Sequence, residues 1–262
     1  MRERKGGVME RNFIDCFQLF NGSAKVAVLT GAGVSTLSGI PDFRGKNGMY
    51  RGLWNGISRE TLLEVGFFHR RPDLFYRFAA EELYPMLDKT PSIAHIALAQ
   101  LQRSGRCGTI CTQNIDDLHN KAGAESRELH GTMSKHRCLE CGRAFPVGRI
   151  RAEAEAGKVP RCPCGGLIKP EVIFYGENLN ETLLEEAFDD FARADIALVL
   201  GSSLTVSPVS SLPAMTLRGG GEMILVNEQP THYDGKCAFR FRDIAAFCEG
   251  MSEYFSRSGE AG

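Results

Sequence analysis

The chain has 262 residues, of which 43% are hydrophobic and 24% are charged, and its formal net charge is −1. This length suits one large domain or a domain with a small module, and the composition is that of an ordinary globular protein. The near-zero net charge excludes a global basic field that would attract nucleic acid or an anionic membrane, so we expect neither partner.

The apolar runs are too short to span a bilayer, and residues 1–10 lack the apolar core of a secretory signal. The nine cysteines are an odd number in a chain that does not need disulfide staples. We therefore expect a cytoplasmic protein whose cysteines are free thiols or metal ligands.

The first predicted elements are a helix and a buried strand. Apolar residues at helical spacing predict a helix over Asn12–Phe20, and the run Val26–Leu29 predicts a strand of a parallel sheet. Gly31-Ala32-Gly33 then allows a sharp turn and a close approach to a ligand. A helix starting at Val34 would leave free backbone N–H groups for a phosphate. A third glycine is missing where Thr36 stands, so a tight turn without a ligand remains an alternative.

The irregular segment Ser38–Gly45 mixes apolar, acidic and basic groups beside this turn, as functional loops do. Together they read G-A-G-V-S-x-x-S-G-I-P-D-F-R, which resembles the cofactor loop of the sirtuins, NAD-dependent protein deacylases, most of all the single-domain bacterial and archaeal type. The resemblance implies NAD as cosubstrate. The cofactor-binding residues that it implies here are Gly31, Ala32, Gly33, Ile40, Asp42, Phe43 and Arg44.

The next segments predict a mobile cover followed by helices. Gly45–Leu53 is rich in glycine and leads to Trp54, which predicts the cover. Helices are predicted over Thr61–Phe68, over Pro72–Leu87 and over Ser92–Arg103, the last with Ser92 as its N-cap. His95 on the last helix is interpreted as a packing residue.

A second buried strand, Gly108–Cys111, ends in T-Q-N-I-D-D-L-H. Polar residues at the carboxyl end of a parallel strand mark the ligand site of open α/β sheets, although they could simply cap the next helix. The segment resembles the sirtuin motif T-Q-N-I-D-x-L-H. That resemblance implies that Asn114 and Asp116 face the nicotinamide carboxamide and Gln113 its ribose, and we give His119 a structural role.

Glu128-Leu129-His130-Gly131 resembles the sirtuin segment E-L-H-G, whose histidine is the general base. In that chemistry an acyl amide oxygen displaces nicotinamide to give an alkylimidate at ribose C1′. A base must then activate a ribose hydroxyl, and neutral imidazole suits this task at physiological pH. The implied catalytic residues are His130, Asn114 and Asp116. His136 is interpreted as a surface residue or as support for a neighbouring site.

Two close cysteine pairs, separated by about twenty residues, indicate a tetrahedral zinc site. The ligands would be Cys138, Cys141, Cys162 and Cys164. Four cysteines leave no open coordination position, so the ion would be structural. The second pair is one residue tighter than the usual spacing, which puts its local geometry in question. The other five cysteines are interpreted as small apolar residues.

Residues 167–178 predict an edge strand entered after Pro170, and they resemble the sirtuin segment that pairs with substrate backbone. The resemblance implies that Phe43, Ile173 and Tyr175 line an acyl-lysine tunnel and that Gly176 and Glu177 flank the peptide.

The remaining pattern completes a parallel sheet. Strands are predicted at Ile196–Leu200, followed by Gly201-Ser202-Ser203, and at Met223–Val226, followed by Asn227. Helices are predicted over Asn180–Ala194 and Asp243–Phe255. In sirtuins the residues matching Gly201, Ser202 and Ser203 contact phosphate and ribose, and the one matching Asn227 contacts the adenosine ribose.

The resemblance implies one α/β catalytic domain over 1–262, a Rossmann-like doubly wound parallel sheet with an inserted module. The large part would comprise approximately 12–45, 90–132 and 176–255, and the small module a helical part at 46–89 and a zinc-binding part at 133–175. The expected activity is NAD-dependent removal of acyl groups from protein lysines by a monomer, releasing nicotinamide and O-acyl-ADP-ribose. Mono-ADP-ribosyl transfer and a non-catalytic NAD- or zinc-dependent binding module are the alternatives.

One pattern addresses the acyl group. Sirtuins that prefer succinyl or malonyl groups carry a tyrosine and, three residues later, an arginine. Tyr76 matches the tyrosine, but Ala79 stands where the arginine would be. A distal carboxylate would then be buried without a cation, so we expect acetyl and other apolar acyl groups.

Overall fold

The computed structural model describes residues 12–21, 24–42, 48 and 52–259. Predictions that concern Phe43, Arg44 and the other residues of 43–47 and 49–51 lie outside the described residues. Within the described ranges, no helix has both the length and the apolarity needed to cross a membrane.

The strands are numbered in chain order. They are β1 Val26–Thr30, β2 Leu53–Trp54, β3 Ile57–Ser58, β4 Ile110–Thr112, β5 Ser126–Glu128, β6 Gly131–Cys138, β7 Ala144–Pro146, β8 Ile168–Val172, β9 Ile196–Leu200, β10 Glu222–Val226 and β11 Phe239–Phe241.

The α-helices are numbered in the same way. They are α1 (12–18), α2 Gly33–Thr36, α3 Arg59–Leu62, α4 Val65–Arg70, α5 Pro72–Phe78, α6 Ile93–Arg103, α7 Leu118–Lys121, α8 Val147–Glu155, α9 Glu181–Ala192, α10 Leu212–Arg218 and α11 Ile244–Gly259. A π-turn (Ala79–Leu83) and a 3-10 turn (Tyr84–Asp88) follow α5, and a second 3-10 turn (Val209–Ser211) precedes α10.

The main sheet of the described chain has the order β11-β10-β9-β1-β4-β5, and its neighbouring strands run parallel. The chain starts at the central strand β1, builds outward through β4 and β5, and then returns to the other side of β1 through β9. This order confirms the predicted doubly wound sheet. Its crevice lies where the winding reverses, between β1 and β9, which is where such sheets bind ligands.

The central strands are apolar throughout because both faces of the sheet are covered. Every residue of β1 and of β9 is buried, and helices from both halves of the chain pack against the sheet in two hydrophobic clusters. A continuous apolar run is therefore the correct signal for these strands, and the bounds of Ile196–Leu200 agree with the prediction.

A second, antiparallel sheet has the order β7-β6-β8 in the described chain. Its strands and the helices α3–α5 and α8 share one hydrophobic cluster around Phe75, Tyr76 and Phe174. The sheet is entered directly from β5, since only Leu129 and His130 separate β5 from β6.

The predicted helix over Thr61–Phe68 is wrong at its centre. The chain forms α3 and α4 with Leu63 and Glu64 between them, and Glu64 pairs with Tyr175 in an isolated parallel bridge. Tyr175 donates its N–H to the Leu63 carbonyl at 2.9 Å and accepts from the Val65 N–H at 3.0 Å. A distant backbone therefore replaces the hydrogen bonds that would continue the helix.

The segment before these helices also differs from its prediction. Asn55 and Gly56 both have positive φ angles and turn β2 into β3, as two-residue hairpin turns require. Trp54 is buried, and its indole N–H donates to Glu81 Oε2 at 2.8 Å. Trp54 is thus a core residue and does not belong to a mobile cover.

The predicted helix over Pro72–Leu87 is only partly confirmed. Pro72 occupies the first turn of α5 as expected. The helix then changes to the π-turn and the 3-10 turn, and Pro85 lies at the start of the latter. Proline lacks the N–H that a continuing α-helix needs, which accounts for the change there.

Candidate functional site

Most of the predicted site residues collect at the carboxyl edge of the main sheet. Parallel strands end on the same edge, so segments far apart in sequence meet there. Those that follow β1, β4, β5, β9 and β10 are Gly31–Gly33, Gln113–Asp116, His130, Gly201–Ser203 and Asn227.

The glycine turn after β1 serves a close approach between backbones. A Cβ at Gly33 would lie 2.6 Å from the Cα of Gly201, and one at Gly31 would lie 2.7 Å from the Gly201 carbonyl oxygen. The N–H groups of Gly31 and Gly33 donate to the carbonyls of Leu200 and Gly201 at 3.0 and 2.9 Å. The neighbouring strand end thus uses these two N–H groups, and phosphate binding at the start of the helix stays a prediction.

A buried polar cluster lies beside this turn. The Asn114 Nδ2 group donates to the Gly31 carbonyl at 3.1 Å and to Ser35 Oγ at 3.0 Å. Ser35 Oγ in turn donates to Asp116 Oδ2 at 2.6 Å, and Asp116 Oδ1 accepts from the Leu118 N–H at 3.0 Å. This cluster therefore holds both predicted nicotinamide residues in fixed orientations.

Ser35 is a site residue that the sequence reasoning missed. Its side chain is buried and connects Asn114 to Asp116. The available signal was its position two residues after Gly33, inside the loop pattern already singled out.

Two features of this cluster suit an amide ligand. The Asn114 Oδ1 atom is buried and has no hydrogen-bond partner within the described part of the chain, although such an atom normally needs one. Burial raises the pKa of Asp116 above its ordinary value, against the opposing effect of the bonds from Ser35 and Leu118. The cluster thus presents an acceptor and a carboxyl group that a carboxamide could satisfy.

His130 lies at the junction between the two sheets. Its Nδ1 atom is 3.1 Å from the Gln113 carbonyl oxygen, and a carbonyl can only accept. The neutral ring therefore carries its proton on Nδ1, which leaves a basic lone pair on Nε2. Burial lowers the pKa of His130, and the bond to Gln113 partly offsets this. The ring is consequently held as a neutral base.

A second group of buried polar side chains links the ends of β1 and β4. Thr30 donates its hydroxyl proton to Thr112 at 2.8 Å, so it must accept from His119 Nε2, also at 2.8 Å. The Thr112 hydroxyl accepts from the Asn114 N–H at 3.1 Å. The structural interpretation of His119 agrees with this arrangement.

His95 also fits its interpretation as a packing residue. It is buried, and its Nδ1 atom accepts from the N–H of Ser92 at 3.1 Å, which completes the predicted N-cap of α6. Burial lowers the pKa of His95 to about 4.

The remaining predicted cofactor residues are less closely joined. Gln113 Oε1 accepts from Ser202 Oγ at 2.7 Å, which ties β4 to β9. Ser203 is exposed and bonds to Thr205 at 3.0 Å. The Asn227 side chain donates to the Gln229 carbonyl at 2.8 Å.

Ile40 and Asp42 lie on the loop that leaves this edge. Ile40 is buried and donates its N–H to the Ser35 carbonyl at 3.2 Å. Asp42 is half-buried. The described part of the loop thus stays close to the buried cluster.

The predicted substrate segment runs directly past His130. Ile173 donates its N–H to the His130 carbonyl at 2.9 Å. Tyr175 and Gly176 are exposed, and Ile173 is half-buried. Glu177 turns inward to Lys169, at 2.9 Å, instead of standing free beside the strand.

The four predicted metal ligands form one cluster. The Sγ atoms of Cys138, Cys141, Cys162 and Cys164 all lie within 4.8 Å of one another. The Cys138–Cys164 and Cys141–Cys162 pairs are 3.5 and 3.6 Å apart, near the roughly 3.8 Å edge of a tetrahedron with a 2.3 Å Zn–S bond. The donor set therefore fits zinc, and the tight second pair does not prevent it.

His136 is not a surface residue. It is buried, and its Nε2 atom lies 2.9 Å from the Tyr84 hydroxyl oxygen. The residues of β6 alternate between the two faces of the sheet. His136 lies on the face that packs against the 3-10 turn Tyr84–Asp88.

Comparison with known proteins places these features in a family context. The profile of the Sir2 family matches residues 31–208. The NAD-dependent protein deacetylase of Thermotoga maritima is 39% identical over 246 residues, 93% of this chain and 97% of the relative. That of Sulfolobus acidocaldarius is 41% identical over 81% of this chain and 82% of its own length.

Solved structures agree over the same length. A Sir2 complex with a deacetylated p53 peptide and 3′-O-acetyl ADP ribose has a TM-score of 0.86 at 38% identity, covering 92% of this chain and 98% of that one. A Sir2 complex with a p53 peptide and NAD⁺ has a TM-score of 0.84 at 38% identity and the same coverages.

Proposed function

Because this chain belongs to the Sir2 family, we propose that it removes acetyl and other apolar acyl groups from protein lysines at the expense of NAD, releasing nicotinamide and O-acyl-ADP-ribose. One observation of the structure supports this most directly. A neutral histidine with its basic nitrogen free lies between a buried amide-binding cluster and an exposed peptide-like edge.

The cofactor pocket is proposed at the crevice between β1 and β9. Asn114 Oδ1 is the buried acceptor there, and Asp116 and Ser35 fix the side chain that carries it. Gln113 and Ser202 would meet the ribose and phosphate side. When bound, NAD supplies a ribosyl carbon from which nicotinamide can leave.

His130 acts as the general base. With Nδ1 bound to the Gln113 carbonyl, Nε2 takes the proton of a ribose hydroxyl, and the lowered pKa keeps it ready to do so. Gln113 also fixes the plane of the ring, so the proton is accepted at a defined atom.

The metal has a structural task. Cys138, Cys141, Cys162 and Cys164 would hold one zinc ion as thiolates and leave no position for a substrate. The cluster joins the end of β6 to the start of β8. It therefore lies at the end of these two strands that is remote from His130. Zinc thus contributes order to the small sheet and takes no part in the reaction.

The acyl preference follows from the residues beside Tyr76. Tyr76 is buried, and its hydroxyl donates to the Ile168 carbonyl, so it is already committed within the core. Ala79 supplies no cation. A succinyl carboxylate would be buried without a partner. A solved Sir2 structure with 37% identity to this chain is bound to a propionylated peptide, an apolar acyl group.

The experiment is mass spectrometry of an acetyl-lysine peptide incubated with the protein, with and without NAD. We expect loss of the acetyl group only with NAD, together with nicotinamide and O-acetyl-ADP-ribose. His130→Ala should lower the rate by about 10²–10⁴-fold. The exposed His232 lies outside the site, and His232→Ala should leave the rate unchanged.

An unchanged peptide in the presence of NAD would overturn the proposal, as would succinyl-lysine turned over faster than acetyl-lysine. ADP-ribose attached to protein, and retained in His130→Tyr, would favour transferase activity. The cytoplasmic location, the monomeric state and the absence of nucleic-acid binding stay predictions from the sequence.

A further inference from the structure

Lys169 is an unusual residue for its position. Among the described residues it is the only lysine or arginine that is buried, with 7% of its side chain exposed. A buried ammonium group is costly unless it is paired and fully hydrogen-bonded. The partners of Lys169 therefore indicate which part of the structure this residue stabilises.

All of these partners lie in the next eight residues. The Lys169 Nζ atom donates to the Val172 carbonyl at 2.6 Å and to the Pro170 carbonyl at 3.3 Å. It pairs with Glu177 Oε2 at 2.9 Å and lies 4.0 Å from the centre of the Phe174 ring. One cation thus ties the end of β8 to the turn that follows it.

Glu177 extends the same connection to the backbone. Its Oε2 atom also accepts from the Phe174 N–H at 2.7 Å, and its own N–H donates to the Phe174 carbonyl at 3.0 Å. Gly176, at φ +91°, permits the tight turn between them. The segment 173–177 is consequently closed on itself around one ion pair.

The first and the middle residue of this segment are anchored to other elements by neutral backbone hydrogen bonds. Ile173 binds the His130 carbonyl, and Tyr175 binds Leu63 and Val65. Among the described residues, the Lys169–Glu177 pair is the one salt bridge of the segment.

The same cation limits where a peptide strand can pair. The carbonyls of Pro170 and Val172 are engaged by Lys169, and that of Ile168 by the Tyr76 hydroxyl. An added strand needs accessible backbone groups, and these carbonyls of β8 already accept a bond from a buried side chain. Pairing is displaced toward the exposed residues after Ile173.

We propose that the Lys169–Glu177 ion pair positions residues 173–177 by setting their shape and their register with an acyl-lysine peptide. This inference rests on the proposed function. The pair makes no hydrogen bond to the residues of the proposed NAD crevice. Its loss should therefore weaken the use of peptide and leave the use of NAD unchanged.

The test is steady-state kinetics of Lys169→Met, with KM measured separately for acetyl-lysine peptide and for NAD. We expect the peptide KM to rise about tenfold while kcat and the KM for NAD stay within about twofold. The reason is that the variant changes the residues that pair with the peptide and leaves the NAD crevice as it is. Lys169→Arg retains the charge and should restore most of the peptide affinity. Lys158→Met, at an exposed lysine of the same chain region, is the matched control.

Glu177→Gln provides a second variant if Lys169→Met folds poorly. It keeps an oxygen for the Phe174 N–H and removes only the charge, so it should raise the peptide KM in the same way. Zinc content and the melting temperature exclude a general loss of structure. Amide hydrogen exchange at Phe174 and Glu177 should accelerate in both variants.

Unchanged peptide KM in both variants, or a parallel loss of kcat and of NAD affinity, would overturn the positioning role. A wild-type protein that does not deacetylate the peptide with NAD would instead overturn the proposed function. Slow amide exchange that persists in Lys169→Met would show, independently of activity, that the ion pair does not hold the turn.

Discussion

Single atoms decide the chemistry of this site. The proposed role of His130 as a base depends on one carbonyl oxygen, that of Gln113, which accepts the hydrogen bond of the ring N–H and leaves Nε2 unprotonated. Asn114 is an acceptor because its amide nitrogen is already committed to Gly31 and Ser35. Residue types could be predicted from the sequence, but these hydrogen-bond directions depend on contacts between distant segments.

The pH dependence of kcat/KM for the peptide tests the state of His130. Activity requires the neutral ring, so the rate should rise with pH through the pKa of His130 and then level off. Because burial lowers that pKa, the midpoint should lie below about 6.5, the ordinary value for histidine.

A neighbouring carboxyl group must be separated from this profile. Burial raises the pKa of Glu128 to about 7, so the profile should be repeated with Glu128→Gln. A midpoint at or above about 6.5 in that variant would contradict the assignment of His130 as a buried base.

Gly131 offers a second test at this scale. It has φ +74°, and a Cβ there would lie 1.8 Å from the Glu171 carbonyl oxygen. Gly142 has φ +71° with open space around it. Each alanine substitution costs about 1–2 kcal/mol for the left-handed backbone.

Gly131→Ala should therefore destabilise by at least about 2 kcal/mol more than Gly142→Ala, because the start of β6 must separate from β8. Urea unfolding of the two variants gives the comparison. Equal losses would show that the contact is not rigid.

Secondary-structure elements were predictable where the signal is local. Strands buried on both faces read as apolar runs, and α6 begins after its predicted N-cap Ser92. The break between α3 and α4 was not predictable, since it is caused by Tyr175, more than a hundred residues away. The hairpin at Asn55-Gly56 did carry a local turn signal, which the sequence reasoning overlooked.

Removal of zinc tests whether the sheet β7-β6-β8 depends on the metal for its order. Metal binding to four thiolates can supply about 10–16 kcal/mol toward ordering a small module. Chelation should therefore abolish amide-exchange protection in β6, β7 and β8 while β9 and β10 stay protected, because the latter lie in a separate sheet. Retained protection in β6 after the zinc is removed would contradict this. Cys237→Ala, away from the cluster, is the control for thiol chemistry.

At the scale of the whole molecule, the doubly wound sheet was predictable from the resemblance to the sirtuins, and the zinc-binding segment was predictable from the spacing of the cysteine pairs. The division into a larger and a smaller part stays a prediction. The structural roles of His95 and His119 were predicted, but their hydrogen-bond partners, Ser92 and Thr30, were not, since these contacts depend on how the elements pack.

Acid stability tests the burial of these two histidines. Burial lowers the pKa of His95 to about 4 and that of His119 to about 3. Between about pH 6.5 and about pH 4, these two histidines bind protons in the unfolded chain and stay neutral in the folded chain. The free energy of unfolding should therefore fall on acidification, by about 1.4 kcal/mol per pH unit for each histidine.

Urea unfolding at several pH values in this range measures the slope. Replacing His119 by Gln should reduce it, whereas His232→Gln, at an exposed histidine, should not. An unchanged slope in the His119 variant would show that this ring is not buried as a neutral group.

The pairing of Gly131 with Val172 has one more consequence. The chain between them, with its metal ligands and the buried lysine, leaves and rejoins the rest of the molecule at two adjacent positions. Such a segment can be exchanged between relatives without changing the path of the main sheet, provided that its contacts with α3–α5 are kept. Its root is the residue after His130, the proposed base, and it ends at Val172, directly before the proposed peptide segment 173–177. A chimera would therefore change the support beneath the peptide segment while the base and the segment itself stay in place.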